Sequence, residues 1–211
     1  SWHAPPADTG AVVLRVDPGL AFGTGSHATT RLVLAWLERT GCRGARVLDY
    51  GCGLGKLSVA AARQGCRVEA LDASPAAIEQ LRRIARAESL PIQADEADLR
   101  SHVVRGDFDA VVCIGLLMFF DCSTAMTQLD RLKAAVRPGG VAVVNVLVDG
   151  TTYMEMFDRA QHCLFPRDKL SEHFEDWDIV ESVHHDFAAQ GGTVKCFATV
   201  IARKRAPESV N

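Results

Sequence analysis

The sequence predicts an α/β protein with a doubly wound, mostly parallel, seven-stranded sheet of the Rossmann-like type and a terminal antiparallel hairpin. From residue 46 onward, short apolar strands alternate with turns and helical periods, which is typical of right-handed βαβ units. A loop with three glycines follows the first of these strands. The last third breaks the rhythm with two strand-like runs joined by a short glycine-rich link, which predicts a hairpin.

The predicted strands are short apolar runs that end at turn residues. In chain order they cover residues 11–16, 46–50, 67–71, 92–94, 108–114, 141–147, 178–184 and 193–202. The run at 108–114 is rich in β-formers and apolar, which predicts a place in the middle of the sheet. The run at 92–94 is the weakest. The segment Arg137-Pro138-Gly139-Gly140 predicts a turn immediately before the fifth parallel strand.

The predicted helices carry apolar residues at helical spacing and begin or end at capping residues. In chain order they cover residues 29–39, 54–64, 75–89, 123–136 and 167–174. Ser74 can cap the third of these helices, with Pro75 in its first turn. Ile78 and Leu81 belong to its buried stripe. Gly65 stops the second helix.

The composition indicates a globular protein and argues against several partners. The chain has 211 residues, of which 48% are hydrophobic and 23% charged, and this suits one domain with a substantial core. A net charge of −3 gives no basic field for binding many phosphates, so we expect no nucleic-acid partner. The longest apolar run, residues 110–120, is too short to span a bilayer, so we expect no membrane partner. Because the chain opens with Ser1 and not Met, we expect that an upstream segment was removed or left out.

The cysteines predict the compartment. They number seven, form no CxxC pair and lie at Cys42, Cys52, Cys66, Cys113, Cys122, Cys163 and Cys196. An odd, scattered set favours reduced thiols over a disulfide framework, and hence a cytoplasmic location. Several lie in apolar runs, which predicts small buried side chains. Neither the histidines nor the cysteines show metal-ligand spacing, so no metal site is predicted.

The strongest functional signal is the segment VLDYGCGLGKLSVA at residues 47–60. Asp49 lies at the carboxyl end of the first parallel strand. The loop between this strand and the next helix contains Gly51, Cys52, Gly53 and Gly55. Glycines let the backbone approach a ligand closely, and the free N–H groups of a helix start suit a carboxylate. These residues therefore predict a pocket for a nucleotide-type cofactor.

The glycine spacing distinguishes two cofactors. A dinucleotide fingerprint needs GxGxxG, but Lys56 and Ser58 occupy the two positions where its third glycine would fall. The pattern present, DxGxGxG, places Asp49 where it can accept from a substrate ammonium group. S-adenosyl-L-methionine carries that ammonium and NAD does not, so the former is the predicted cofactor, with S-adenosyl-L-homocysteine as its product. An NAD-dependent dehydrogenase and a non-catalytic binding module remain as alternatives.

Two further acids follow the second and third parallel strands. Asp72, followed by Ala73, lies 23 positions after Asp49 and can accept from both ribose hydroxyls. Asp98 and Leu99 follow the third strand, where a carboxylate and a backbone N–H can read the adenine edge. Each acid alone would be interpreted as a solvated loop residue, but their order along the chain favours a cofactor site.

Residues 46–147 resemble the class I S-adenosylmethionine-dependent methyltransferases. The resemblance is carried by DYGCGLG, by the acid of LDAS, by IGLLMF after the fourth parallel strand and by the RPGG segment. It implies a methyltransferase fold and activity, and Cys113, at the end of that fourth strand, is added to the predicted cofactor-binding residues.

The N-terminal flank, WHAPP followed by VLRVDPGLAFGTGSHATT, resembles ribosomal-protein lysine methyltransferases. In those enzymes the FGTG loop folds over the cofactor. By that resemblance the cofactor pocket would also be lined by Phe22, Thr24, Gly25 and His27. The chain departs from these enzymes at Cys113-Ile114-Gly115, where they carry an asparagine-led motif, and their substrate-recruiting N-terminal domain is not among these residues.

The C-terminal half resembles a second group, the tellurite-resistance methyltransferases, which act on small, soft anions. The segments concerned are GLLMFF, FPRDKLSEHFEDWDIVES and CFATVIARK. By this resemblance a His-Arg pair in the final hairpin assists catalysis. His184 matches the histidine, and His185 stands in place of the arginine, so these two are the predicted catalytic residues. Polar residues on the exposed face of an edge strand are the competing interpretation.

The acceptor is predicted to bind where ligands of open α/β sheets lie, beyond the carboxyl ends of the strands. Apolar and aromatic residues follow the fourth and fifth strands there, at Phe119, Phe120, Tyr153, Met154, Met156 and Phe157. Such a wall favours a small-molecule acceptor, and a protein acceptor of the ribosomal-protein type is the alternative.

The predicted domain organisation has three parts. Residues 1–30 form an N-terminal arm with the cofactor-covering loop, and residues 31–205 form the methyltransferase domain. Residues 206–211 form a frayed tail.

Overall fold

The computed structural model describes residues 43–157 and 161–207, and these contain one seven-stranded sheet. Its strands are β1 (Arg46–Tyr50), β2 (Arg67–Asp72), β3 (Ile92–Glu96), β4 (Phe108–Ile114), β5 (Val136–Leu147), β6 (Asp178–Ala188) and β7 (Val194–Arg203). They lie in the order β3-β2-β1-β4-β5-β7-β6. Neighbours among β1 to β5 are parallel, whereas β7 pairs antiparallel with both β5 and β6. The predicted doubly wound sheet with a terminal antiparallel hairpin is confirmed.

The helices pack on both faces of this sheet. They are α1 (Lys56–Arg63), α2 (Pro75–Ala87), α3 (Cys122–Ala135) and α4 (Lys169–His173). Ser74 Oγ accepts a hydrogen bond from the Ala77 N–H at 3.3 Å, which confirms the predicted cap of α2. None of the helices in the described ranges is long and apolar enough to cross a membrane. The strand predicted at 11–16 and the helix predicted at 29–39 lie outside the described residues.

The core has two layers because successive strand residues point to opposite faces of the sheet. Leu48 of β1 packs in a cluster with Leu129 of α3, and the neighbouring Val47 packs in a second cluster with Leu81 of α2. All four side chains are almost fully buried. The parallel strands therefore lie between helices on both sides, which leaves their carboxyl ends as the place where polar groups can gather.

The turn predicted at residues 137–140 is instead a bulge inside β5. Val136 already pairs with β4, and the register then shifts before pairing resumes at Val141. Gly140 is required there, because a Cβ would lie 2.9 Å from the backbone oxygen of Asp109 on the neighbouring strand. The prediction placed the turn before the strand, whereas β5 already begins at Val136 and residues 137–140 form an irregularity within it that has no partner on β4.

A disulfide joins Cys122, at the start of α3, to Cys163, in the segment that follows β5. The prediction of reduced thiols is therefore wrong for these two residues in this structure, whereas Cys52, Cys66, Cys113 and Cys196 are free thiols. The two cysteines are 41 residues apart, and only the folded chain brings them together. In the same segment the Cys163 N–H donates to the Met118 carbonyl at 3.0 Å. Burial is confirmed for Cys66, Cys113 and Cys196, and Cys42 lies outside the described residues.

Candidate functional site

A cavity opens at the carboxyl ends of β1, β4 and β5. Its described lining consists of Asp49, Gly51, Cys52, Gly53, Leu54, Lys56, Leu57, Asp72, Ile114, Gly115, Leu116, Phe119, Asn145 and Phe197. β1 and β4 are neighbours here although β2 and β3 lie between them in sequence, so the cavity sits at the switch point of the strand order. Five predicted cofactor-binding residues line it, namely Asp49, Gly51, Cys52, Gly53 and Asp72.

Two glycines of the turn between β1 and α1 have different structural roles. Gly53 and Gly55 both have positive φ angles, 51° and 73°, which glycine adopts without strain. A Cβ on Gly53 would meet nothing within 4 Å, so this residue keeps part of the cavity open. A Cβ on Gly55 would lie 2.4 Å from Cδ1 of the fully buried Leu81. Gly55 therefore serves the packing of α1 against α2 and does not line the cavity.

Asp49 is the buried acid of the site. It is 5% exposed, and its Oδ2 accepts a hydrogen bond from Ser58 Oγ at 2.6 Å. Burial raises the pKa of Asp49 to about 6, partly offset by the hydrogen bonds from Ser58 and reinforced by the negative charge of Asp72. At neutral pH the carboxyl group is thus largely ionised, and it can pair with a cation in a poorly hydrated place where such a bond is strong.

Asp72 organises the turn from the end of β2. Its Oδ2 accepts from the Gly53 N–H at 2.7 Å, and its Oδ1 accepts from the Ser74 N–H at 2.9 Å. The carboxylate thereby ties the glycine turn to the start of α2. A carboxylate can accept about four hydrogen bonds, so two backbone donors leave capacity for ligand hydroxyls.

The segment after β3, which was predicted to contact the adenine, is held in place by hydrogen bonds from two buried side chains. The Tyr50 hydroxyl donates to the Leu99 carbonyl at 2.7 Å, and the Gln128 amide donates to the Arg100 carbonyl at 2.6 Å. Both donor side chains are fully buried. The Leu99 side chain lies in the core, while the exposed Asp98 accepts from the Arg100 N–H at 3.1 Å. Neither Asp98 nor Leu99 belongs to the described lining of the cavity, so their contact with adenine stays a prediction.

Two other predicted cofactor-binding residues do not belong to the described lining of the cavity. Cys113 is fully buried in the core, where burial raises the pKa of its thiol. Its neighbours Ile114 and Gly115 line the cavity in its place. Ala73 is exposed beside Asp72 but does not line the cavity. The predicted Phe22, Thr24, Gly25 and His27 lie outside the described residues.

The predicted catalytic histidines lie on β6 and not in the cavity. His184 Nε2 is 2.9 Å from the Arg167 carbonyl, a contact that ties β6 to the segment before α4. The His185 ring stacks on Phe187 with ring centroids 6.2 Å apart, and Phe187 in turn contacts Phe197. Because His185 pairs with Phe197 across the strands, it shares the face that leads to the cavity. His184 points to the opposite face.

An apolar cluster forms the side of the cavity predicted to face the acceptor. It contains Met118, Leu147 and Phe197, packed against Phe119, Met156, Phe157 and Leu164. The rings of Phe119 and Phe157 lie 5.2 Å apart. Phe120 belongs instead to the main core, and the ring of Tyr153 lies under the Lys195 ammonium at 4.3 Å. Three of the six predicted acceptor residues, Phe119, Met156 and Phe157, are therefore grouped here.

Several lining residues were missed by the sequence analysis. Asn145 is 1% exposed and donates to Thr199 Oγ1 at 2.9 Å. One polar residue in the apolar run VAVVNVL was a usable signal, because buried polar side chains are rare without a purpose. Phe197 carried no such signal. In the described part of the chain, no three His, Cys, Asp or Glu side chains are grouped to hold a metal ion.

Comparison with known proteins identifies the family. The family described as ribosomal protein L11 methyltransferase (PrmA) matches residues 1–181. The ribosomal protein L11 methyltransferase of Dechloromonas aromatica is 46% identical over 141 residues, covering 66% of this chain and 45% of that protein. Its counterpart in Methylococcus capsulatus is 41% identical over 149 residues, covering 68% of this chain and 49% of that protein. The chain thus spans about half the length of these relatives.

Solved structures confirm the fold. TehB from Haemophilus influenzae superposes with a TM-score of 0.73 at 21% identity, covering 85% of this chain and 62% of that one. A Burkholderia thailandensis 1,6-didemethyltoxoflavin-N1-methyltransferase, solved with S-adenosylhomocysteine, superposes with a TM-score of 0.63 at 22% identity, covering 85% of this chain and 80% of that one. At these identities the likeness concerns the fold alone. The resemblance of the C-terminal half to tellurite-resistance enzymes is therefore confirmed for the fold.

The relatives also correct one prediction. An apolar, aromatic wall was taken to favour a small-molecule acceptor, but the relatives carry the name of a ribosomal protein as their substrate, so that prediction is wrong. The resemblance to methyltransferases, in contrast, is confirmed. Since the match extends over residues 1–181, the chain belongs to the ribosomal protein L11 methyltransferase family.

Proposed function

We propose that this chain binds S-adenosyl-L-methionine and transfers its methyl group to a protein acceptor of the ribosomal-protein type. The observation that carries the proposal is the cavity in which a buried Asp49, an open glycine turn and Asp72 meet, in a chain of this family. The names of the relatives support the choice of a protein acceptor.

The residues present fit this cofactor. Asp49 offers a buried carboxylate for the ammonium group, which suits a charge-assisted hydrogen bond. Asp72 has remaining acceptor capacity for the ribose hydroxyls. Gly53 leaves open the volume that a Cβ would fill. We propose that Gly51 and Cys52 complete this contact surface, since both line the same cavity.

Methyl transfer requires the protein mainly to position the two reactants. When bound, S-adenosyl-L-methionine supplies a methyl group activated by its sulfonium, which an acceptor amine can take with the loss of one proton. The residues of the chain then have to orient both partners and exclude water. Phe119 and Phe197 are placed for the second task, because their apolar cluster closes one side of the cavity.

The same wall suits a lysine acceptor. A lysine side chain has a long aliphatic stem that packs on apolar surfaces while its amino group projects beyond them. Phe119 and Phe157 provide such a surface beside the cavity. An aromatic wall therefore does not separate a small molecule from a protein side chain, which is why it was misleading in the sequence.

The proposal is tested by turnover. Purified chain is incubated with methyl-tritiated S-adenosyl-L-methionine and ribosomal protein L11, and label in the protein is counted beside the S-adenosyl-L-homocysteine released. We expect equal amounts of both, and neither with the Gly53→Val variant. Cofactor binding without label in L11 would contradict L11 as the acceptor of this chain while leaving cofactor binding intact. Failure to bind the cofactor would overturn the proposal as a whole.

The affinity for S-adenosyl-L-homocysteine is expected to fall by roughly tenfold between pH 7.5 and pH 5, because protonating a group with a pKa of about 6 removes the acceptor of the ammonium. The pH dependence of the free energy of unfolding has the opposite sign. Since the folded pKa of Asp49 is raised above its unfolded value of 3.8, its protonation favours the folded state as pH falls through 6. Calorimetric titration and urea unfolding across this range measure the two effects. Asp49→Asn should weaken binding and abolish its pH dependence, and an unchanged pH profile in that variant would contradict the assignment.

We also propose a cytosolic site of action, where ribosomal proteins are available as acceptors. In that compartment the glutathione pool favours open thiols, so Cys122 and Cys163 would be at least partly reduced there.

A further inference from the structure

Lys56 supplies positive charge to the described lining of the cavity. Among the described lining residues it is the only lysine or arginine, and it shares the lining with Asp49 and Asp72. It is half-buried and is the first residue of α1. Long helical side chains lean toward the helix N-terminus, and the glycine turn precedes Lys56 on that side.

No carboxylate of the described residues neutralises Lys56. The ion pairs in this part of the chain involve other cations, and Asp72 is already hydrogen-bonded to the backbone of Gly53 and Ser74. The position is also unfavourable for a cation, because the first turn of a helix carries partial positive charge. Neither the stability of α1 nor an internal ion pair therefore accounts for a lysine here.

The charges of the cavity match a zwitterion. Asp49 contributes a negative charge at the buried end of β1. Lys56 contributes a positive charge at the start of α1. An α-amino acid carries an ammonium and a carboxylate on the same carbon, so it needs partners of opposite sign on two neighbouring sides. A carboxylate at Lys56 would also offset the unfavourable position of the lysine at the helix start.

We propose that Lys56 binds the α-carboxylate of the amino-acid end of the cofactor, while Asp49 binds its ammonium. The inference rests on the proposed cofactor. It assigns to Lys56 the discrimination between ligands with and without that carboxylate, and it makes the Asp49–Lys56 pair a recognition site for an α-amino acid.

The test compares two ligands by calorimetry. One is S-adenosyl-L-homocysteine, and the other is its decarboxylated analogue, which keeps the amine, the thioether and the adenosine. We expect Lys56→Met to weaken S-adenosyl-L-homocysteine by about 10- to 100-fold, the range for losing a hydrogen bond to a charged group. Its affinity for the decarboxylated analogue should change less than about twofold, because that ligand has no group for the lysine to bind. Lys56→Arg should recover most of the lost affinity.

Lys169→Met is the matched control, since Lys169 lies on α4, does not line the cavity and pairs on the surface with Glu172 at 3.4 Å. It should leave both affinities unchanged. Equal weakening of both ligands by Lys56→Met, or no weakening of either, would overturn the role of Lys56 while leaving the proposed function intact. A wild-type chain that binds neither ligand would overturn the proposed function and this inference together.

Discussion

Replacing Gly53 by valine is expected to lower the affinity for S-adenosyl-L-homocysteine by at least about a hundredfold, or about 3 kcal/mol. The new side chain would enter open volume that the cofactor needs, since apart from its chain neighbours no described residue has an atom within 4 Å of its Cβ. The free energy of unfolding should fall by only about 2 kcal/mol, because the one unfavourable change is a left-handed backbone at a residue that now has a Cβ. Calorimetric titration and urea unfolding of the same preparation measure the two quantities.

Gly55→Val is the matched control and should behave in the opposite way. Its Cβ would lie 2.4 Å from the buried Leu81, so overpacking adds to the strain of the positive φ. Together these are worth about 3–5 kcal/mol, a large part of the stability of a typical domain. We expect a chain that unfolds in much less urea. If Gly53→Val bound the ligand like the wild type, the glycine turn would not be part of the site.

Removing the disulfide between Cys122 and Cys163 is expected to lower the free energy of unfolding by about 4 kcal/mol under non-reducing conditions. The bond closes a loop of 41 residues, which restricts the unfolded chain far more than the folded one. Urea unfolding of the double variant Cys122→Ser/Cys163→Ser, beside the wild type with and without dithiothreitol, measures the effect.

The reductant provides the internal control for this prediction. Dithiothreitol should destabilise the wild type to the level of the double variant and leave the double variant itself unchanged. Thiol titration of the denatured wild type should detect two fewer thiols without reductant than with it. Equal thiol counts in both conditions would show that the bond does not form in solution.

The elements that the sequence predicted well are those with strong local patterns. The bounds of β1 and β4 are as predicted, because their apolar runs end at turn residues that no partner has to define. The cap of α2 by Ser74 depends on contacts within one turn of helix. The start of β5 was misjudged because Val136, just before the RPGG segment, pairs with the distant Phe108 of β4.

The residues of the candidate site also differ in how well the sequence predicts them. Asp49 and Gly53 belong to one short segment, and its residue order was sufficient to predict that they lie in one cavity. Asn145 and Phe197 come from β5 and β7, which are neighbours only because β7 inserts between β5 and β6. Cys113 was misplaced because a strand of buried residues gives no sign of which side chains face a cavity.

By itself, the sequence determined the α/β class, the methyltransferase resemblance and the acid-and-glycine turn, since each depends on residues close together in the chain. The tertiary structure alone decided which predicted residues meet in one cavity, that Cys122 pairs with Cys163, and that His184 lies outside the described lining of that cavity. The physical reason is that strand order and the face to which a side chain points depend on pairing between distant segments. Local sequence carries no record of that pairing.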